Sequence, residues 1–288
     1  MKKSYSIGIV LKIINLLLIT IYSILLIEFG KSCSAPQLCF LIVAIGVMLL
    51  FPLLLILRIN LKLDRRALKL HIFRAIFNCV GIVTWVIALR QIGANDTTAI
   101  CYTTPIFTSI IAWYYCKEKF NTYCVAGLVI GMIGVSIVLH PSFNNSMSGT
   151  FSALVSSLMW ACYDIVCKKQ TETENFLRQV FYNFLLTAIL LLPLAIFEWR
   201  EVQIKSLFEI GFVSILSAVN VIILFFAYKS APITLLMPFS YLRLFFMAIA
   251  TYLLYDTILS EQAIVGVLII ITSTAIIFWQ QHRGKIII

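Results

Sequence analysis

Long stretches without any charged side chain recur along this chain. No Asp, Glu, Lys or Arg occurs in several stretches of at least 19 residues, among them 32–57, 97–116, 120–163, 179–197 and 262–282. An α-helix needs about 20 apolar residues to cross about 30 Å of hydrocarbon, so each stretch is long enough for one membrane span. The stretch 120–163 is long enough for two. The pattern therefore predicts an all-α integral membrane protein.

The composition excludes most other classes of protein. Hydrophobic residues make up 61% of the chain and charged residues 12%, against about 45–50% and about 25% in soluble domains. With half the usual charge, the chain cannot cover a water-facing surface. A soluble enzyme, a disordered chain and a coiled coil are excluded on this ground.

The apolar stretches and the polar residues between them predict ten spans. They are placed at 8–28, 38–57, 71–90, 96–115, 122–140, 150–168, 179–197, 209–228, 232–255 and 262–281. The connecting loops are too short to hold a soluble domain, so the function is expected to lie within the membrane bundle.

Positive charges are distributed unevenly between the two sets of loops. Of the 22 Lys and Arg residues, 15 fall on one side of the predicted membrane and 4 on the other. Because Lys and Arg are enriched in cytoplasmic loops, both termini and the basic loop 58–70 are predicted to be cytoplasmic. The net charge of +10 thus reflects topology next to a lipid bilayer, and nucleic-acid binding is not expected.

The two halves of the chain, 1–145 and 146–288, resemble one another. Tyr102 and Tyr241 are separated by the same 139 residues as Gly127 and Gly266. Each half holds five predicted spans, and since five is an odd number the second half must enter the membrane upside down. The prediction is ten transmembrane helices in two inverted five-helix repeats. Secondary transporters typically have this arrangement, with the substrate site at the repeat interface near the midplane.

Small residues, a proline and an acid around the predicted fourth and fifth spans carry a likeness to a known family. They are Gly93-Ala94, Thr97-Thr98-Ala99, Pro105-Ile106-Phe107-Thr108, Lys117-Glu118, Gly127, Gly131 and Gly134-Val135. These residues resemble the EamA-type half of the drug/metabolite transporter superfamily, and the likeness extends over nearly the whole chain. The resemblance implies a secondary transporter that moves a small polar metabolite by alternating access.

A second set of residues carries a narrower likeness within the same superfamily. It consists of Gly81, Thr84-Trp85, Asp164-Ile165, Lys168-Lys169, Phe181-Tyr182, Thr187-Ala188-Ile189 and Leu192-Pro193. These resemble the S-adenosylmethionine transporters of intracellular bacteria. The resemblance implies a multi-pass protein of the bacterial inner membrane that takes up S-adenosylmethionine in exchange for S-adenosylhomocysteine. Export of amino acids and general efflux of metabolites or drugs are the alternatives within the superfamily.

Polar and aromatic side chains inside the spans are the candidates for a substrate site. Arg243 lies about twelve residues into the predicted ninth span, where a charge costs at least about 2.5–3.5 kcal/mol, so it is expected to bind a substrate carboxylate or a structural partner. Aromatic side chains can stack a purine and attract a sulfonium through cation–π contact. Arg74 is a candidate for binding either substrate or lipid phosphates. The other substrate-binding candidates are Trp85, Tyr102, Trp160, Tyr163, Tyr182, Asn183 and Tyr241.

Four further residues are candidates for gating or coupling. Asp164 and Lys168 are four positions apart in the predicted sixth span, so they share one helix face and can pair. Pro105 and Pro238 occupy the equivalent fourth and ninth spans, where each removes a backbone hydrogen bond and favours a kink. Lys12, one turn into the first span, is expected to extend its ammonium group to the membrane surface.

No cofactor, metal site or catalytic centre is predicted. The chain has no G-x-x-x-x-G-K-[ST] loop for ATP, only three His, and no cluster of acids or nucleophile motif of the kind an enzyme needs. The eight Cys form no C-x-x-C pair and are expected to pack as small apolar residues. An integral-membrane enzyme or a channel is the alternative from another class.

Overall fold

The computed structural model describes residues 5–29, 33–119, 121–141, 146–255 and 260–282. Throughout this part of the chain the regular structure is helical. The helices are α1 Ser6–Phe29, α2 Ala35–Ile56, α3 Arg65–Cys101, α4 Thr104–Tyr115, α5 Thr122–Leu139, α6 Met147–Gln170, α7 Phe176–Phe197, α8 Ile204–Ser230, α9 Ile233–Leu236, α10 Leu242–Tyr255 and α11 Glu261–His282. Five of the basic residues on which the predicted orientation depends lie outside the described residues, namely Lys2, Lys3, Lys31, Arg283 and Lys285.

Nine helical segments in the described residues are long and apolar enough to cross a membrane. The prediction of an all-helical, multi-pass membrane protein is confirmed. Several predicted boundaries agree with the structure to within a few residues, such as 122–140 against α5 and 179–197 against α7. The difference between nine segments and ten predicted spans arises around the predicted fourth span.

The predicted fourth span, 96–115, is not one continuous helix. At Gly93 the backbone leaves the helical conformation, with φ 77° and ψ 175°, which glycine can adopt without a steric penalty. The segment 94–101 then ends in a turn, and the chain resumes as the 12-residue α4. Pro105 lies in the first turn of α4, where its missing N–H costs no helical hydrogen bond. The Thr104 hydroxyl donates a 2.7 Å hydrogen bond to the carbonyl of Cys101.

The predicted ninth span is broken in a similar way. It consists of α9, a 3₁₀ segment Met237–Tyr241 that contains Pro238, and α10. The structure therefore has helix breaks near Pro105 and Pro238 where simple kinks were expected. Each break carries a tyrosine, and the rings of Tyr102 and Tyr241 lie 6.1 Å apart.

The main helix packing joins the part of the chain before residue 146 to the part after it. The most extensive pairs are α3 with α6, α5 with α11, α1 with α8 and α2 with α7. Small residues allow close approach between α5 and α11. A Cβ on Gly266 would lie only 2.7 Å from the Gly134 carbonyl oxygen, and such small-residue contacts are typical of helix pairs in membranes.

Contacts between loops and helix ends define the two ends of the bundle. At one end Arg178 donates hydrogen bonds to the carbonyls of Asn60 and Lys62, both at 3.2 Å. The segments that follow α2, α4, α6 and α8 lie at this end, which we call the basic end. At the opposite end Gln37 donates a 2.7 Å hydrogen bond to the Arg200 carbonyl.

Candidate substrate site

Arg243 lies in the first turn of α10, directly after the break in the ninth span. Its side chain is half-buried, and its Nη2 donates a 2.9 Å hydrogen bond to the hydroxyl of Ser23 in α1. Ser23 is neutral, and within the described residues Arg243 makes no ion pair. The positive charge is therefore available to an anionic ligand, as a residue at this depth in a membrane bundle requires.

Two tyrosines and a thiol lie in the region of Arg243. Its charge lies within electrostatic range of Tyr22, Cys101 and Tyr102. Tyr241 packs beside Tyr102 and is fully buried, and its hydroxyl has no hydrogen-bond partner among the described residues. The two helix breaks thus bring a guanidinium and phenol groups together near the middle of the bundle.

A second aromatic group lies between α3 and α6. The rings of Trp85 and Trp160 lie 6.3 Å apart at 51°, and both side chains are half-buried. The indole of Trp160 packs on Gly81, where a Cβ would lie 2.9 Å from its Nε1 atom. Glycine at this position therefore allows the α3–α6 approach that sets the aromatic pair.

Arg74 is fully buried and bonds to other side chains of the bundle. Its Nη1 donates a 3.1 Å hydrogen bond to the Gln170 side-chain oxygen, and its Nη2 donates a 2.7 Å hydrogen bond to the Tyr163 hydroxyl. The guanidinium carbon also lies 4.5 Å from the centre of the Tyr163 ring. The expectation that Arg74 reaches lipid phosphates is wrong, because its side chain is enclosed between α3 and α6.

The two predicted site residues of α7 lie in different surroundings. The Tyr182 hydroxyl donates a 2.6 Å hydrogen bond to the Leu61 carbonyl, and its ring lies 5.1 Å from that of His71. Tyr182 therefore anchors the loop after α2. Asn183 is 3% exposed, and its side-chain oxygen has no partner among the described residues.

Lys12 in α1 is only 6% exposed, so the expectation that it extends to the membrane surface is wrong. Its ammonium nitrogen lies 5.8 Å from the centre of the Tyr228 ring and within electrostatic range of Asp164. The Tyr228 hydroxyl lies next to the Asp164 carboxylate without the geometry of an ordinary hydrogen bond. The sequence allows Asp164 and Lys168 to pair, but in the structure they form no ion pair.

Lys168 instead binds the carboxyl end of α8. Its Nζ donates hydrogen bonds to the carbonyls of Tyr228 and Ala231, the latter at 2.9 Å. A cation at a helix carboxyl end is favoured because the last carbonyls there lack helical partners. Lys168 therefore fixes the connection between α8 and α9 to α6.

Glu118 binds the same connection from the other side. Its carboxylate accepts hydrogen bonds from the backbone N–H groups of Ile233 and Thr234, both at 2.9 Å, and from the Thr234 hydroxyl at 3.0 Å. We call Glu118, Lys168 and the α8–α9 connection the basic-end clasp. It ties the loop after α4 and the end of α6 to the start of the ninth span.

Ser23 and Glu118 carry no role predicted from the sequence, and Lys12 carries one that the structure contradicts. Ser23 is a hydroxyl in an apolar helix and carries no distinguishing pattern. Glu118 was noticed only as part of a family likeness, although an acid close to the end of a span is itself a signal of a helix-end contact. A lysine about one turn into a span can either extend to the membrane surface or lie inside the bundle, so the sequence does not decide where Lys12 lies.

Comparisons with known proteins agree with this architecture. A model of the EamA-like transporter family matches residues 6–140 and 147–279. The S-adenosylmethionine uptake transporter of Rickettsia prowazekii is 27% identical over 217 residues, which cover 74% of this chain and 73% of that protein. The riboflavin transporter of Vibrio cholerae is 24% identical over 246 residues, which cover 84% and 82%. One solved crystal structure superposes with a TM-score of 0.83 at 14% identity and covers 98% of this chain and 99% of its own, which identifies the fold as a known one.

Proposed function

The chain belongs to the EamA-like transporter family, and we propose that it is a secondary transporter that takes up S-adenosylmethionine in exchange for S-adenosylhomocysteine. The observation that carries the proposal is the unpaired charge of Arg243 next to Tyr102, inside a bundle that also holds the Trp85–Trp160 pair. The relatives from Rickettsia are transporters of this metabolite.

Each part of S-adenosylmethionine has a chemical counterpart in the bundle. The carboxylate can bind the Arg243 guanidinium in a planar, two-pronged contact. The purine can stack on Trp85 or Trp160, and the sulfonium can face an aromatic ring through cation–π attraction. The likeness to a riboflavin transporter is compatible with an aromatic site for a fused-ring ligand. Export of an amino acid or of another metabolite is the alternative outcome of the tests below.

We propose further that residues 1–145 and 146–288 are two inverted repeats. The family match to two consecutive segments supports this division. The helix packing supports it as well. If α1 corresponds to α6 and α3 to α8, exchanging the halves converts the α3–α6 pair into the α8–α1 pair, and both are among the most extensive helix pairs. An interface between repeats near the midplane is where secondary transporters bind substrate.

Alternating access requires one end of the bundle to open while the other closes. The basic-end clasp joins the loop after α4 to the start of the ninth span through Glu118. In the proposed cycle this contact holds the basic end shut and breaks when the basic end opens, as in rocking of one repeat against the other.

We propose that the protein lies in the bacterial inner membrane with both termini and the basic end in the cytoplasm, as the charge distribution indicates. In a variant without native Cys, Lys62→Cys should resist an impermeant thiol reagent added to intact cells. Glu201→Cys, at the opposite end, should react at least about ten times faster. Both positions are exposed, so protection reflects sidedness. Labelling of Lys62→Cys from outside would contradict the orientation.

Counter-flow in proteoliposomes tests the exchange. Vesicles preloaded with S-adenosylhomocysteine should accumulate labelled S-adenosylmethionine several-fold faster than empty vesicles, because return of the loaded carrier is faster than return of the empty one. Saturable uptake that is no faster in preloaded vesicles than in empty ones would contradict the exchange mechanism. Saturable transport of a plain amino acid, with no uptake of S-adenosylmethionine, would favour the alternative function, export of amino acids.

A further inference from the structure

Two opposite charges lie at equal depth on α1 and α6. Lys12 is six residues from the start of α1, and Asp164 is six residues from the end of α6. At 1.5 Å per residue, each lies about 9 Å inside the helix from the basic end. The two groups are within electrostatic range of one another, yet the ion pairs formed among the described residues do not include them.

Two polar groups at this depth make no ordinary hydrogen bond to the described residues. Lys12 is 6% exposed and makes no hydrogen bond to the described residues, apart from its approach to the Tyr228 ring. The Tyr228 hydroxyl is fully buried next to the Asp164 carboxylate and makes no ordinary hydrogen bond there. A buried hydroxyl without an ordinary hydrogen bond is costly, and so is a lysine at a nearly buried position without an ion pair. A structural ion pair would avoid that cost by closing the gap.

The surrounding charges determine what fits in this gap. Arg243 lies within electrostatic range of Lys12, and Arg74 within range of Asp164. Arg74 already bonds to Gln170 and Tyr163. This leaves Lys12 and Arg243 as cations open to a ligand, and Asp164 as an acceptor open to a cation. The arrangement offers two positive groups and one negative group to a single small ligand.

We propose that Lys12 and Asp164 bind the zwitterionic head group of an α-amino acid. The ligand carboxylate lies between Lys12 and Arg243, and the ligand ammonium donates to Asp164. The Tyr228 hydroxyl supplies an additional hydrogen bond at the same point. The inference rests on the proposed transport function and adds to it the residues that bind the amino-acid end of the substrate.

Binding of matched probes to the purified protein tests the proposal. S-adenosylhomocysteine carries the amino-acid head group, whereas 5′-methylthioadenosine carries the same nucleoside without it. The parent protein should prefer the first probe by about 100-fold. Asp164→Asn and Lys12→Gln should each lose about 10- to 100-fold in affinity for it, the range for a hydrogen bond to a charged group. Binding of 5′-methylthioadenosine should stay unchanged in both variants.

Control variants and a second probe pair separate the possible failures. Glu201→Gln and Lys205→Gln alter exposed charges and should bind both nucleosides as the parent does. Parent-like preference in Asp164→Asn and Lys12→Gln would overturn the head-group assignment while leaving the transport function intact. If the parent binds neither nucleoside, the S-adenosylmethionine proposal fails. The head-group assignment is then tested with phenylalanine and with phenylpropionate, which lacks the amino group. Phenylalanine should bind, and phenylpropionate should bind at least about ten times more weakly. Asp164→Asn should abolish this difference in affinity. Failure of that pattern would overturn it.

Discussion

Replacing Arg243 by alanine should lower substrate affinity by roughly 100-fold or more, while the protein still inserts and purifies normally. Truncating one partner of a desolvated, hydrogen-bonded charge pair costs about 2–5 kcal/mol, and each 1.4 kcal/mol corresponds to about a tenfold change. Arg243 bonds to the neutral Ser23, so the substitution leaves no described acid unpaired and folding should be preserved. The concentration dependence of labelled uptake and the thermal stabilisation by ligand measure the effect.

Two further variants sharpen this test. Arg243→Lys should recover part of the affinity, because a lysine keeps the charge but cannot make the planar two-pronged contact with a carboxylate. Arg90→Ala removes an exposed arginine that pairs with Glu198 at 3.2 Å, and it should transport as the parent does. Parent-like saturation of uptake by Arg243→Ala would rule out the carboxylate role.

Replacing Glu118 by alanine should open the basic end of the bundle. Two backbone N–H groups and the Thr234 hydroxyl lose their acceptor, and a hydrogen bond to a charged group is worth about 1.5–3 kcal/mol. Even one such contribution changes the ratio of closed to open states by about 10- to 100-fold. Counter-flow should fall because the state closed at the basic end becomes less populated.

The opening can be measured through a buried thiol. Cys167 is fully buried in the same cluster as Tyr228 and Ile233, so as the sole remaining Cys it reports on that region. Its reaction with N-ethylmaleimide should accelerate by about 10- to 100-fold in Glu118→Ala and by less in Glu118→Gln, which keeps one acceptor oxygen. Glu172→Gln changes an exposed acid at the same end and should leave the rate unchanged. Equal rates in Glu118→Ala and the parent would show that Glu118 does not hold this end shut.

Some predictions depended on properties that a sequence carries directly. The charge-free stretches predicted the all-helical membrane class, and the likeness around Pro105 and Glu118 predicted the family. The breaks in the fourth and ninth spans were anticipated only as kinks. Proline marks where a helical hydrogen bond is missing, but whether the chain bends or restarts depends on the neighbours that bind the freed groups.

The partners of the charged side chains were the least predictable feature. Asp164 and Lys168 share a helix face, yet Lys168 binds the end of α8. Lys12 and Arg74 are near span ends in the sequence and buried in the bundle. Hydropathy gives the approximate depth of a residue, but it contains no information on which helix that residue faces.

The sequence by itself determined that this protein lies in a lipid bilayer and crosses it with many helices, because transfer of apolar segments into hydrocarbon is a sum over local residues. It also determined the family, because the matching positions are read in chain order. The tertiary structure alone decided that Glu118 binds the start of the ninth span, that Arg243 bonds to Ser23, and that Lys12 lies within electrostatic range of Asp164. These contacts join helices far apart in the chain, and inside a membrane their position is set by how whole helix faces pack, which no local pattern specifies.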